Sequence, residues 1–153
     1  MLNSSKRSFL FKATSVIALS LSTSYSKLFA EWQESLFTHK ALDEVINSLT
    51  NNSTATQSTE IHIKAPEIAE NGAVVPITVN SSIADVTNIS IIVDNNPSPL
   101  TSSFDINPQL EAYISTRVKM AKSSNIIALV TTKDKKYYTN SKSIKVTIGG
   151  CGG

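Results

Sequence analysis

The chain has 153 residues, about one domain's worth, and its 41% hydrophobic and 17% charged residues are typical of a globular protein. A chain of this length can bury a core without disulfides or bound metals. The composition excludes collagen-like, coiled-coil and wholly disordered proteins.

The first thirty residues have the pattern of an export signal. Their start is basic, residues 13–21 are mostly apolar, and Ala30 is a small residue of the kind that precedes a cleavage site. The apolar stretch is too short to span a membrane. The motif Ser-Lys-Arg-Ser-Phe-Leu is similar to a twin-arginine signal with Lys6 in place of the first arginine, which leaves the Sec route open. We expect residues 1–30 to be a signal peptide and the protein to be periplasmic, with a mitochondrial presequence as the alternative.

The charge of the exported chain differs from that of the precursor. The full chain has 14 basic and 12 acidic residues, and residues 1–30 contain four of the basic ones and none of the acidic ones. The remainder therefore carries a net charge of −2, which gives no support for nucleic-acid binding.

Charge is also unevenly distributed along the exported chain. Residues 31–111 hold eleven acidic and two basic residues, whereas residues 112–153 hold eight basic residues and one acidic residue. A sandwich that interleaves the two halves would cancel much of this asymmetry. The alternative is a basic surface near the C-terminus that attracts small oxyanions or an acidic partner.

A helix and a polar linker are predicted over residues 31–58. The helix is expected within residues 31–49, because Leu42, Val45, Ile46 and Leu49 recur at the spacing of one helix face. The polar run that follows, from residue 50 to residue 59, is typical of a loop.

Residues 59–148 change to the alternating pattern of β-strands. The seven strands predicted from this pattern cover residues 61–65, 75–79, 89–93, 100–106, 112–120, 126–130 and 144–148. A turn is predicted at Glu70-Asn71-Gly72 and a hairpin turn at residues 133–136. The pattern predicts an all-β fold, an immunoglobulin-like antiparallel β-sandwich of about seven strands with a short N-terminal helix and no intramolecular disulfide.

Residues for catalysis or metal binding are scarce in this sequence. His39 and His62 fall on different predicted elements, and neither has a cysteine or an acidic cluster nearby, so no metal site is expected. The glycines at the C-terminus precede no helix and cannot form a phosphate-binding loop. Outside the C-terminal segment, the sequence therefore offers few groups for catalysis.

The last five residues, Gly149-Gly150-Cys151-Gly152-Gly153, form the one segment with clear chemical meaning. The chain has only five glycines, and four of them flank its single cysteine. Glycines leave the thiol unshielded and the backbone flexible. Five extended residues reach at most about 17 Å. We therefore expect residues 149–153 to be a flexible arm that can carry the thiol into a narrow cleft of a partner.

The thiol of Cys151 has no cysteine partner within the chain. An odd cysteine in an exported protein indicates an intermolecular bond or a working thiol. Lys142 and Lys145 are the nearest basic residues and are weak candidates for contacts with an anion or a partner, although an exposed strand face explains them equally well. From the residues alone, three functions stay open: a carrier, a thiol enzyme, and a structural or interaction sandwich whose cysteine forms an intermolecular disulfide.

Three segments of the chain resemble the SoxY family, the sulfur-carrier subunits of the bacterial thiosulfate-oxidising (Sox) system. Residues 63–76, Ile-Lys-Ala-Pro-Glu-Ile-Ala-Glu-Asn-Gly-Ala-Val-Val-Pro, resemble a first block typical of the family, and residues 93–97, Val-Asp-Asn-Asn-Pro, resemble its next block. Residues 146–153, Val-Thr-Ile-Gly-Gly-Cys-Gly-Gly, match the carrier terminus. The basic leader fits as well.

This resemblance implies a mechanism and a set of partners. Thiosulfate-derived sulfur would be held covalently on Cys151, with Gly149, Gly150, Gly152 and Gly153 giving reach and access. A c-type haem enzyme would couple thiosulfate to the cysteine, a hydrolase would release sulfate, and a sulfane dehydrogenase, where present, would oxidise the remaining sulfur. The protein would be a carrier subunit rather than an enzyme, would bind no cofactor itself, and would work in complex with a SoxZ-type subunit.

Overall fold

A computed structural model describes residue 37 and residues 41–148, all of which belong to the second of the chain's two units, residues 33–153. The predicted signal peptide, residues 1–30, lies outside the described residues, as do residues 149–153. The described helix is α1 (Leu42–Thr50). The strands are β1 (Thr56–Gln57), β2 (Ile61–Lys64), β3 (Ile68–Ala69), β4 (Val75–Ser81), β5 (Val86–Val93), β6 (Leu100–Asp105), β7 (Ala112–Val118), β8 (Ser124–Thr132) and β9 (Tyr137–Val146).

The strands form two sheets, which confirms the predicted all-β, immunoglobulin-like sandwich. The larger sheet has the order β1-β9-β8-β5-β6, with β3 also paired to β9, and the smaller has the order β2-β4-β7. The seven longer strands pair antiparallel with one another. No helix of the described part is long and apolar enough to cross a membrane.

The main core lies between the two sheets and follows from the alternation of side chains along each strand. Strands β5 and β8 contribute fully buried residues to this core, among them Ile89, Ile91 and Ile126. The smaller sheet contributes a matching set of aliphatic residues, with Val75, Ile77 and Val79 from β4 and further residues from β2 and β7. Burial of both inner faces fixes the register of each strand, because a slip by one residue would expose its whole apolar set.

Helix α1 packs on the outer face of the larger sheet. Its Val45 is fully buried with Ile92, Leu100 and Leu129, whose side chains point away from the main core. The helix begins after Ala41, which has an extended backbone. Among the described residues, the prediction of a helix over residues 31–49 is therefore correct only from Leu42 onwards. A left-handed Asn51 ends the helix, and its side chain donates a hydrogen bond to the Tyr137 hydroxyl.

Two short strands were not predicted, and both run parallel to their partner. β1 lies in the segment predicted to be a polar loop, and β3 lies just before the predicted turn at residues 70–72. Both pair with β9. β9 also begins at Tyr137, seven residues before the predicted start, because half-buried polar residues interrupt its apolar alternation. The sandwich is therefore antiparallel in its seven main strands and has two parallel additions.

The β8–β9 hairpin turns at the predicted position and holds one ion pair. Lys135 takes a left-handed conformation, and the Lys136 Nζ atom lies 2.7 Å from a carboxylate oxygen of Asp134. The Thr132 hydroxyl donates a second hydrogen bond to the same carboxylate. These two hydrogen bonds, that of Lys136 first, lower the pKa of Asp134 to about 2.

Truncation of the core should destabilise the fold in proportion to burial. Ile126→Ala removes a fully buried side chain between the sheets and should lower the free energy of unfolding by about 2–5 kcal/mol. Leu110→Ala, at a residue that is 69% exposed, is the control and should change it by less than about 0.5 kcal/mol. Urea unfolding followed by circular dichroism measures both. Equal losses for the two variants would contradict the assigned core.

The hairpin predicts a pH dependence at acidic pH. Because the folded pKa of Asp134, about 2, is below its ordinary value of 3.8, the stabilisation from this carboxylate is fully present above pH 3.8 and is lost as the pH falls through 2. Thr132→Val removes one of the two hydrogen bonds and should raise the Asp134 pKa towards 3.8. Titration of the carboxyl carbon by NMR measures this value, and an unshifted pKa in the unmodified protein would refute the assigned geometry.

Candidate functional site

Strand β9 leads directly to the C-terminal cysteine and is hydrogen-bonded along both edges. On one edge it pairs with β8 from Tyr137 to Ile144. On the other edge β1 pairs in parallel with its beginning, at Tyr138 and Thr139, and β3 pairs with its end, at Lys145 and Val146. The strand that carries the arm therefore lies inside the sheet rather than at a free edge.

Two side chains of β9 reach the smaller sheet across the gap between β1 and β3. The Asn140 side-chain amide donates a 2.6 Å hydrogen bond to the carbonyl of Ile61, the first residue of β2. The Lys142 Nζ atom donates a 2.8 Å hydrogen bond to the carbonyl of Ala65, just after β2 ends. Both bonds join the sheets at the side of the sandwich and add to the anchoring of β9.

The end of β9 is fixed to the segment that follows β3. The Thr147 N–H donates to the Ala69 carbonyl at 3.1 Å, and the Thr147 hydroxyl donates to the Glu70 carbonyl at 3.1 Å. The Gly72 N–H then donates to the Ile148 carbonyl at 2.8 Å. The last described residue, three positions before Cys151, is thus held by a backbone hydrogen bond.

Gly72 connects the root of the arm to both sheets. While its N–H binds Ile148, its carbonyl accepts a 2.7 Å hydrogen bond from the N–H of Met120, two residues after β7 ends. Gly72 is buried, and a residue without a side chain permits two backbone segments to approach this closely. On the other side of the root, the Ser123 hydroxyl accepts a 2.9 Å hydrogen bond from the Val146 N–H.

The predicted carrier residues, Cys151 and the glycines Gly149, Gly150, Gly152 and Gly153, lie outside the described residues. Lys142 is half-buried and bound to the Ala65 carbonyl, which is a structural contact. Lys145 is exposed on the outer face of the larger sheet, and its backbone pairs with Ile68. The structure does not bring these two lysines together, because their side chains lie on opposite faces of β9. Their predicted contacts with an anion or a partner stay predictions.

The basic C-terminal half of the chain is divided between the two ends of the sandwich. Lys133, Lys135 and Lys136 lie at the β8–β9 hairpin, at the end far from the arm. The other described basic residues of this half lie towards the arm, on or after β7 and β9: Arg117, Lys119, Lys122, Lys142 and Lys145. Five of the eight basic residues of this half therefore lie towards the end from which the arm begins.

One cleft of the described part lies at the hairpin end of the sandwich. It has a volume of about 540 Å³ and is lined by residues that include Asp85, Lys133, Asp134 and Lys136. Its acidic and basic side chains balance, and a ten-residue β9, about 33 Å long, separates it from the arm. Among residues 41–148, no group of three or more histidine, cysteine or acidic side chains could hold a metal ion.

The anchoring contacts of the arm were not found from the sequence. They are mostly backbone hydrogen bonds, which leave no side-chain periodicity. One signal was present, because Gly72 is the single glycine outside the arm, but the Glu-Asn-Gly sequence indicated only a turn. Its position within the first block that resembles the SoxY family is consistent with a role at the base of the arm.

Known proteins of similar sequence and structure fall into two groups. The model of the family described as sulfur oxidation protein SoxY matches residues 46–151, which includes Cys151. The solved structure of the sulfur carrier protein SoxY from Chlorobium limicola f thiosulfatophilum is 45% identical and has a TM-score of 0.63, covering 70% of this chain and 96% of that one. No curated protein sequence matches the chain significantly.

The second group shares the fold alone. The superoxide reductase (neelaredoxin) from Ignicoccus hospitalis is 16% identical, with a TM-score of 0.51 over 76% of this chain and 99% of that one. A superoxide reductase from Thermotoga maritima is 18% identical, with the same TM-score over 71% and 98% of the respective chains. The family match over residues 46–151, the 45% identity and the shared sandwich agree with one another. The chain belongs to the SoxY family, a family of sulfur carriers rather than of enzymes.

Proposed function

We propose that this protein is a periplasmic sulfur carrier that holds thiosulfate-derived sulfur covalently on Cys151 and presents it to partner enzymes. The observation that carries the proposal is the position of this thiol relative to a fixed point. Ile148 is bound through its carbonyl to Gly72, and Cys151 follows three residues later. Its Cα atom can therefore be at most about 11 Å from that of Ile148.

The segment beyond the fixed point has no side-chain bulk except the thiol. Glycines on both sides of Cys151 allow the peptide to enter a cleft that would exclude larger residues. The sandwich itself would stay outside the cleft. Its apolar side chains are packed in its own core, and its strands are paired in two sheets. A rigid body with a short, narrow arm meets the geometric needs of a carrier that serves several active sites.

The chemistry on Cys151 requires partners that supply an oxidant and a water molecule. Coupling of the thiol to thiosulfate forms a sulfur–sulfur bond and releases one proton and two electrons, which a c-type haem partner accepts. A hydrolase then adds water to the terminal sulfone group, releases sulfate and leaves a persulfide on the cysteine. A sulfane dehydrogenase oxidises that persulfide sulfur in organisms that have one.

Two further parts of the proposal concern location and assembly. The basic, apolar leader supports export, and the working thiol has no internal partner with which it could form a disulfide in an oxidising compartment. A SoxZ-type subunit is the proposed stable companion of the sandwich. The protein itself needs no cofactor, because the sulfur that it carries is its cargo.

The carrier function predicts adducts on one defined peptide. Protein isolated from the periplasm of thiosulfate-grown cells should show added sulfur or thiosulfate on the peptide that contains Cys151, because its thiol is the only one in the chain. Reductant should remove these masses, and the intact mass should also show loss of the leader. Mass spectrometry with and without reductant measures both.

The matched control for this experiment is Cys151→Ser, which keeps the size and polarity of the arm but should carry no adduct. A bare thiol, or only a symmetrical disulfide dimer, during active thiosulfate oxidation would contradict the carrier function. That result would favour a structural or interaction sandwich instead.

A further inference from the structure

The outer face of the smaller sheet carries a group of exposed residues next to the arm. Strand alternation directs Val75, Ile77 and Val79 into the core, so the residues between them point outwards. Near the arm, this outer face of β2, β4 and β7 and their immediate flanks presents basic and apolar side chains. We define this arm-side patch by five exposed residues: Lys64, Val74, Pro76, Arg117 and Lys119.

The register of the strands places these residues side by side. Pro76 of β4 pairs with Arg117 of β7, and Lys64 of β2 pairs with Thr78, one outward position further along β4. Val74 and Lys119 extend β4 and β7 by one residue beyond the last pair, Val75 with Val118. Val74 is 54% exposed, so an apolar side chain is accessible to solvent among three positively charged side chains.

No carboxylate of the smaller sheet neutralises the charge of the patch. The exposed Glu67 and Glu70 lie on the segment that pairs with β9, and neither forms an ion pair with the patch within 4.0 Å. Lys64, Arg117 and Lys119 contribute three positive charges, and no carboxylate occupies an outward position of β2, β4 or β7. Glu60 and Glu111 precede β2 and β7 and lie at the opposite end of the face. In the described part of the chain, the ion pair within 4.0 Å is at the hairpin, between Lys136 and Asp134.

The patch is continuous with the root of the arm. Lys119 precedes Met120, whose N–H binds the Gly72 carbonyl, and Val74 follows Gly72 by two residues. Gly72 in turn binds Ile148. Because the five residues after Ile148 reach at most about 17 Å, any protein that takes the thiol into its active site must approach this end of the sandwich.

The other faces near the arm differ in character. Helix α1 covers much of the outer face of the larger sheet, where its Val45 packs on Leu100 and Leu129. The smaller sheet has no such cover within the described residues, and its outward side chains are exposed or half-buried. Arginine, which the patch contains, is enriched at protein interfaces. The small exposed apolar area suits a transient rather than a permanent partner.

We propose that the arm-side patch is the docking surface for the enzymes that act on Cys151, and that these enzymes present an acidic surface to it. The proposal rests on the proposed carrier function and adds to it the place and the charge of the partner contact. Complementary charge mainly accelerates encounter and adds less to lifetime. A carrier that must visit several enzymes in turn needs this combination, since each complex has to form quickly and separate again.

Charge reversal on the patch tests the proposal. The variant Arg117→Glu with Lys119→Glu should lower kcat/KM for loading of Cys151 by thiosulfate and a purified c-type haem coupling enzyme by about tenfold or more. The decrease in kcat/KM should come from a higher KM with an unchanged kcat, because the arm and its thiol are intact. The salt dependence of the rate should weaken in parallel. Intact mass spectrometry at a series of carrier concentrations measures the rate.

A second double variant is the matched control. Lys133→Glu with Lys135→Glu reverses two exposed charges at the hairpin end, far from the arm. It should keep kcat/KM within about twofold of the unmodified protein. Thermal unfolding checks that each variant is folded. If the glutamate pair is unfolded, Arg117→Gln with Lys119→Gln replaces it and should show a smaller rise in KM.

A second assay separates docking from attraction of small anions. The thiol of Cys151 is treated, without enzyme, with a negatively charged and with an uncharged disulfide reagent. Docking predicts that the patch variant reacts with both reagents as the unmodified protein does. A selective loss with the anionic reagent as large as the loss with enzyme would show that the patch acts on small anions, and would overturn the proposal.

The remaining outcomes distinguish the two proposals. If the patch variant is loaded at the same rate as the unmodified protein, or if Lys133→Glu with Lys135→Glu is equally impaired, the docking surface is wrong and the carrier function stands. If no adduct forms on Cys151 in the unmodified protein, the carrier function fails and the docking proposal fails with it.

Discussion

Strand β9 links the sandwich to the cysteine. Its pairing along both edges is the constraint that fixes where the arm begins. β8 holds one edge, while β1, Asn140, Lys142 and β3 hold the other in succession. Without these contacts β9 would be an edge strand, and its end could fray. With them, the arm begins at a fixed place beside the segment that leads into β4.

The same constraint relates the two sheets to the proposed function. Gly72 binds Ile148 with its N–H and Met120 with its carbonyl, so the root of the arm and the end of β7 share one backbone contact. The arm-side patch lies on β4 and β7 next to this contact. A partner on the patch would therefore lie at a defined distance from the start of the arm, and Cys151 follows Ile148 by three residues.

The features that could be predicted from the sequence are those with a side-chain pattern. Alternating apolar residues gave the main strands, because each inner face is buried, and the concentration of glycines around one cysteine indicated the arm. The short strands β1 and β3 could not be predicted in this way. Thr56 and Gln57 are polar and exposed, and Ile68 is 57% exposed, so their pairing with β9 rests on backbone groups that every residue has.

The same distinction applies to the residues of the candidate site. Cys151 was identified because its residue type carries the chemistry, whereas the patch arises from residues that are far apart in sequence: Lys64, Pro76 and Arg117 meet only through the register of three strands. The predicted extent of the helix was too long at its start, where Ala41 is extended. Apolar residues before that point continued the periodicity, which alone does not set a helix boundary.

The pairing of β9 along both edges has a mechanical consequence for the proposed carrier, whose C-terminus would be held by one partner after another. A force applied at Ile148 along the direction of β9 is parallel to the strand and perpendicular to the hydrogen bonds that join it to β8. Such a load is shared by the whole ladder at once, instead of opening the bonds one after another as it would if the strand were peeled from an edge. The direction of the strand therefore protects the sandwich against a pull on its C-terminal end.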